Sequence, residues 1–89
     1  MARFEIPSIE TAQFAGAAVS AELYLEMGIQ YSSGRGGLLN LVEAHKWFNI
    51  AALRGNRDAV RMRSEIAAEM STAQIAEAQR AARAFLAVH

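Results

Sequence analysis

Met27–Ala59, MGIQYSSGRGGLLNLVEAHKWFNIAALRGNRDA, decides how this chain folds. Apolar and small residues recur at three- and four-residue steps on both sides of SSGRGG, and glycines fill the interruption. Those steps describe two helices, each with one covered side. Gly34, Gly36 and Gly37 supply the positive φ angles of a tight reversal, so the two helices run antiparallel. Gly28, Ala44, Ala51, Ala52, Gly55 and Ala59 fall where paired helices would bring their backbones close. The stretch therefore predicts a helix-turn-helix unit with a tight seam.

The remaining sequence extends the pattern. Tyr24, Met27, Gly28 and Tyr31 form a stripe in a helix from about 20 to 32, and Leu23, Leu25 and Ile29 broaden it. Asn40, with Glu43 three residues on, reads as a capping-box variant opening the next helix, whose core face is Leu41, Ala44, Phe48, Ala51 and Ala52. Gly55 closes that helix in the left-handed manner. Asn56 opens another, with Ala59, Met62, Ile66 and Met70 inward. Ser71 and Gln74 make a full capping box before the last helix, where Ile75, Ala78, Ala82, Phe85 and Leu86 share a face. Toward the start, Pro7 predicts extended chain over 1–7. Ser8 could cap a short helix to Val19 with Ile9, Ala12 and Phe14 on one side, weakened by Gly16.

Composition agrees. The 89 residues are 53% hydrophobic, with a single proline and no cysteine. That length holds one domain, 1–89. Its parts are an N-terminal extension with a further short helix (1–19), a helical pair (20–55) and a second pair (56–89). The expected class is all-α, with four to five helices. Disulfides and thiolate metal sites are excluded, which suits a cytoplasmic protein. The start, MARFEIPSIE, has no basic region ahead of an apolar run, so no signal peptide is expected. No run reaches the roughly 20 apolar residues of a membrane span. The formal net charge is zero. The halves differ, however: two arginines meet five glutamates up to His45, and seven cations meet four acids from Lys46 onward.

In order and spacing, Tyr31, Gly34, Gly36, Asn40, Ala44, Trp47, Phe48, Ala51, Ala52, Gly55 and Ala59 resemble the Sel-one-like repeat, a member of the tetratricopeptide-like families. The likeness spans about 33 residues, the repeat length of such solenoids. Met27 replaces the usual leucine, Gly37 the usual valine (with Leu38 taking its buried place), and Asn40 the usual aspartate. Arg63, Ser64 and Ala67 stand where a second repeat would place leucine, glycine and tyrosine, so the repeat is not continued. The resemblance implies a right-handed solenoid fragment in which 56–89 is a C-terminal capping pair. It also implies adaptor work, commonly bacterial, with a protein or peptide held on a concave helical surface. Candidate contacts are Tyr24, Tyr31, Trp47, Arg54, Arg57 and Arg61. A short array could also be completed by self-association into a homo-oligomer.

Other chemistries fit the residues poorly. SSGRGG lacks the Gly-Lys-Ser/Thr of a phosphate loop. Trp47 and Phe48 read first as core, Trp47 as an interface anchor only if the array stops early. His45 reads as a partly exposed surface residue and His89 as terminal, with no nucleophile or metal-ligand spacing beside either. No cofactor, metal or enzymatic activity is expected. Arg54, Arg57 and Arg61, spaced as a stripe, offer a second class of function: binding nucleic acid or another polyanion. Neutral net charge, a single lysine and the lack of interleaved aromatics argue against it.

Overall fold

The computed structural model describes the backbone of residues 9–37 and 39–88, and the side chains of 20–37 and 39–88. Four α-helices account for nearly all of it: α1 (Ile9–Ser33), α2 (Leu41–Leu53), α3 (Arg57–Ala67) and α4 (Thr72–Val88). A 3-10 turn, Arg35–Gly37, lies between α1 and α2. The described residues are all-helical, as expected. The extended start over 1–7, the Ser8 cap, the burial of Leu38 and the apolar side of Ile9, Ala12 and Phe14 lie outside the residues or side chains described.

The helix expected to end at Val19 and the one expected to start at Ser20 are a single helix of 25 residues. Glycine costs a helix only about 1 kcal/mol relative to alanine, and Gly16 sits among alanines, the best helix formers. No proline or helix-ending turn intervenes before Gly34. There the chain reverses: Gly34, Gly36 and Gly37 have φ of 75°, 76° and 79°. The return is fastened by Asn40 N–H, which donates to the Tyr31 carbonyl at 3.0 Å.

The caps follow the side chains that announced them. Asn40 Oδ1 accepts from Glu43 N–H at 3.1 Å, satisfying one orphan donor of α2. The reciprocal arm of a capping box does not form. Asn40 N–H is engaged by Tyr31, and the Glu43 carboxylate accepts from Trp47 Nε1 at 3.3 Å. At the other end of α2, Gly55 (φ 101°) donates to Ala52 O and Asn56 N–H reaches back to Ala51 O, both at 3.0 Å, the paired bonds of a Schellman motif. Asn56 then caps α3 through Ala59 N–H at 2.9 Å. Ser71 and Gln74 make both arms of their box, at 3.1 and 2.9 Å.

Helix α2 is the hub. It packs against α1, α3 and α4, whereas α3 and α4 scarcely touch each other, and so do α1 and α3. Trp47 and Phe48, about 100° apart on α2, enter two different clusters. Phe48 joins Ala44 and Ile66, with Leu25, Ile29, Tyr31, Leu41, Met62 and Met70 around them. Trp47 joins Ile50 and Ala82, with Tyr24, Met27, Tyr31, Phe85 and Leu86. Tyr24 packs with Trp47 while Tyr31 packs near Ala44, so α1 and α2 are antiparallel.

The seam is tight at four of the six small residues expected there, whereas Ala52 is only half-buried and Gly55 is exposed. Ala44, Ala51 and Ala59 are wholly buried. A Cβ added at Gly28 would sit 2.5 Å from two carbons of the Phe48 ring. Gly55 is different: its added Cβ would meet nothing, so it is needed for its φ and not for close approach. Leu23, expected to broaden the covered stripe of α1, is 60% exposed.

Candidate functional site

Because α1 and α3 both rest on α2 without closing on each other, a groove stays open between them. Its lining is Ile29 and Ser32 from α1, Phe48 from α2, Met62, Glu65 and Ile66 from α3, and Glu69 just beyond it. The cavity volume is about 350 Å³, at the lower end of what ligand sites occupy. Phe48 and Ile66 form a buried floor, Ile29 and Met62 are half-buried walls, and Glu65 and Glu69 are an exposed acidic rim on the α3 side. Gly28 sets this geometry, because it lets α1 settle against the Phe48 ring.

The groove is apolar inside and charged on one lip. Arg61 Nη1 donates to Glu65 Oε2 at 3.2 Å, and Arg61 Nη2 lies 4.0 Å from Asp58. Glu69 has no ion pair among the described residues. Such a surface can hold an apolar side chain against Phe48 while a cation meets the rim. Among the described residues, no group of three or more His, Asp or Glu could hold a metal ion. No helix of those residues is long and apolar enough to cross a membrane.

The residues singled out in the sequence divide into two sets. Tyr24, Trp47 and Arg54 come together on the far side of α2 from the groove. Tyr24 stacks on Trp47 with centroids 5.6 Å apart, and Phe85 meets both rings edge-on. The Arg54 guanidinium lies 5.9 Å from the Tyr24 ring, and Lys46 Nζ 4.4 Å from the Trp47 ring. Trp47 is only 8% exposed and Tyr24 and Tyr31 are half-buried, so these rings pack the core. Arg57 and Arg61 are exposed on α3.

The arginine stripe does not run along one helix. Arg54 is the C-cap of α2 and Arg57 the first residue of α3, with the Schellman turn between them. The three- and four-residue steps from 54 to 61 therefore do not describe one face. Arg61 is also neutralised by Asp58 and Glu65.

His45 is not at the surface. It is 3% exposed, and its Nδ1 has no hydrogen-bond partner among the described residues. Burial pulls its pKa below the usual imidazole value, and the Arg63 charge adds to that, against a smaller opposing effect of its own backbone. Arg63 itself is held by Asn49 Oδ1 at 2.6 Å. Three helices wrap α2, so a position that would be open in a simple pair is covered.

The groove residues Ile29, Ser32, Met62, Glu65 and Glu69 were not legible as a set. Ile29 and Met62 showed as apolar positions of separate helices, and only the splay of α1 from α3 brings them to one opening. The chain matches no protein-family model, no curated protein and no solved structure at a significant level.

Proposed function

We propose that this chain is a small, non-enzymatic adaptor of the Sel-one-like type that holds a protein or peptide in the groove between α1 and α3. In this reading α1 and α2 are the repeat, and α3 and α4 are the capping pair of a right-handed solenoid fragment. The single observation that carries the proposal is the open groove of about 350 Å³, apolar at its base and rimmed by Glu65 and Glu69. An exposed apolar recess with a polar border is a common mark of an interaction site. The residue pattern from Met27 to Ala59 supports the family assignment, and the absence of cysteine suits a reducing bacterial cytoplasm.

A photo-crosslinking amino acid placed at Ser32 tests the reading in cells that make the chain, with the same group at the exposed Gln79 of α4 as control. The proposal expects a discrete adduct from Ser32 that excess unlabelled chain competes away. Equal labelling from both positions, or none from Ser32, would remove the groove from consideration.

A further inference from the structure

Charged residues recur every four positions along the exposed side of α3 and into the turn after it: Arg57, Arg61 and Glu65 on the helix, and Glu69 one residue beyond its C-cap Ala68, whose backbone is still right-handed helical. Four-residue steps form one ridge on a helix surface. The ridge is antisymmetric about its middle, with two cations followed by two anions. A second α3 laid antiparallel beside it would place Arg57 opposite Glu69 and Arg61 opposite Glu65, each twice. A two-fold interface requires this kind of self-complementarity.

The placement of the end charges supports that use. Arg57 is the first residue of α3, and Glu69 lies just past its last turn. A helix dipole favours the opposite arrangement, with anions at the N-terminus and cations at the C-terminus. Both residues therefore work against their own helix. Neither makes an ion pair among the described residues, whereas the inner two already share the bond from Arg61 to Glu65. Glu65 and Glu69 also form the groove rim, so arginines arriving there could lay their aliphatic stems over Met62 while the guanidinium groups meet the carboxylates.

We infer that the α3 ridge docks a second copy of this chain, antiparallel and two-fold, and that the α3 lip of the groove is part of that contact. The inference rests on the groove being a docking surface and names an occupant for its rim. Other occupants make different demands. Nucleic acid would be repelled by Glu65 and Glu69, and a peptide of another protein would not need the matching cations of Arg57 and Arg61.

Two single substitutions test it, Arg57→Glu and Glu69→Arg. Each improves the dipole match of α3, so neither should lower the melting temperature. Each sets like charges opposite in a homodimer. The measurement is sedimentation equilibrium at low salt, over concentrations up to the millimolar range. Wild-type chain should pass reversibly from 9.7 kDa toward twice that mass and return to monomer as salt is raised. Either variant alone should dissociate roughly tenfold more readily or worse. Their equimolar mixture has acids at both ends of one ridge and cations at both ends of the other, and should associate at least as well as wild type. Wild-type chain that stays monomeric, variants that self-associate unchanged, or a mixture that fails to associate would each overturn the inference. A monomeric chain that still crosslinks another protein from Ser32 would leave the adaptor reading standing and sink only this one.

Discussion

Gly28→Ala is the substitution whose consequence follows most directly from the packing. On an open helix face the change would stabilise by roughly 0.8–1 kcal/mol, since alanine outranks glycine by that amount. Here the new Cβ would lie 2.5 Å from Cδ1 and Cε1 of Phe48 and 3.1 Å from Cγ. Carbon atoms prefer about 3.5–4.0 Å, so the ring and the helix must separate by about 1 Å. Phe48 is 2% exposed and cannot swing into solvent without leaving the core. Overpacking of this kind costs about 1–3 kcal/mol, which outweighs or at least cancels the propensity gain. The expected outcome is a net loss of up to about 2 kcal/mol, and about 4–8 °C of melting temperature for each kcal/mol lost. The decisive control is the same change in a Phe48→Leu background, where the clash is relieved and alanine should become neutral or stabilising. That sign change is a coupling of about 1 kcal/mol or more, measurable by urea titration of the four proteins. A Gly28→Ala protein that melts higher than wild type, or an equal effect in both backgrounds, would refute the close approach of α1 and α2.

Three further outcomes are expected. His45 is neutral and buried, with its pKa lowered from 6.5, so the unfolded chain binds the proton more readily; stability should be full above about pH 7 and fall as pH drops through the unfolded value toward the folded one. Urea midpoints between about pH 7 and pH 5 should show that fall in wild type and a shallower one in His45→Gln; identical slopes would place the histidine elsewhere. At Gly55, where φ is 101° and an added Cβ meets nothing, Gly55→Ala should cost about 1–2 kcal/mol from backbone alone, with Gly55→Asn between the two by thermal melting. Ser71→Ala removes the acceptor for Gln74 N–H and should cost about 1 kcal/mol, read as a lower melting temperature with the helix content of the folded state unchanged.

Features set within a few residues were legible in advance. Gly34 and Gly55 turn where glycine is required, and Asn40, Asn56 and Ser71 cap where their side chains reach the next turn. What depends on three bodies was not. Gly16 lacked the strength to break an alanine-rich helix, so two expected helices became α1. Arg54 shares a spacing with Arg57 and Arg61 but not a helix, because the Schellman turn reorients the chain between them. Glu43 left its capping role for Trp47, a choice that needs the aromatic one turn further along α2. His45 is covered because α2 is packed by α1, α3 and α4 together, and the groove exists because α1 and α3 share α2 with little contact between them. No periodicity within a single helix encodes either fact.

The open groove over Phe48 is the premise on which the functional reading stands, and solvent access to its walls tests it most directly. With methyl groups labelled, a neutral paramagnetic cosolute should broaden the resonances of Ile29 and Met62 while leaving Ile50, which is wholly buried, sharp. If the Ile29 and Met62 methyls prove as protected as Ile50 in the dilute monomer, α1 and α3 close on each other and there is no groove for a partner to enter.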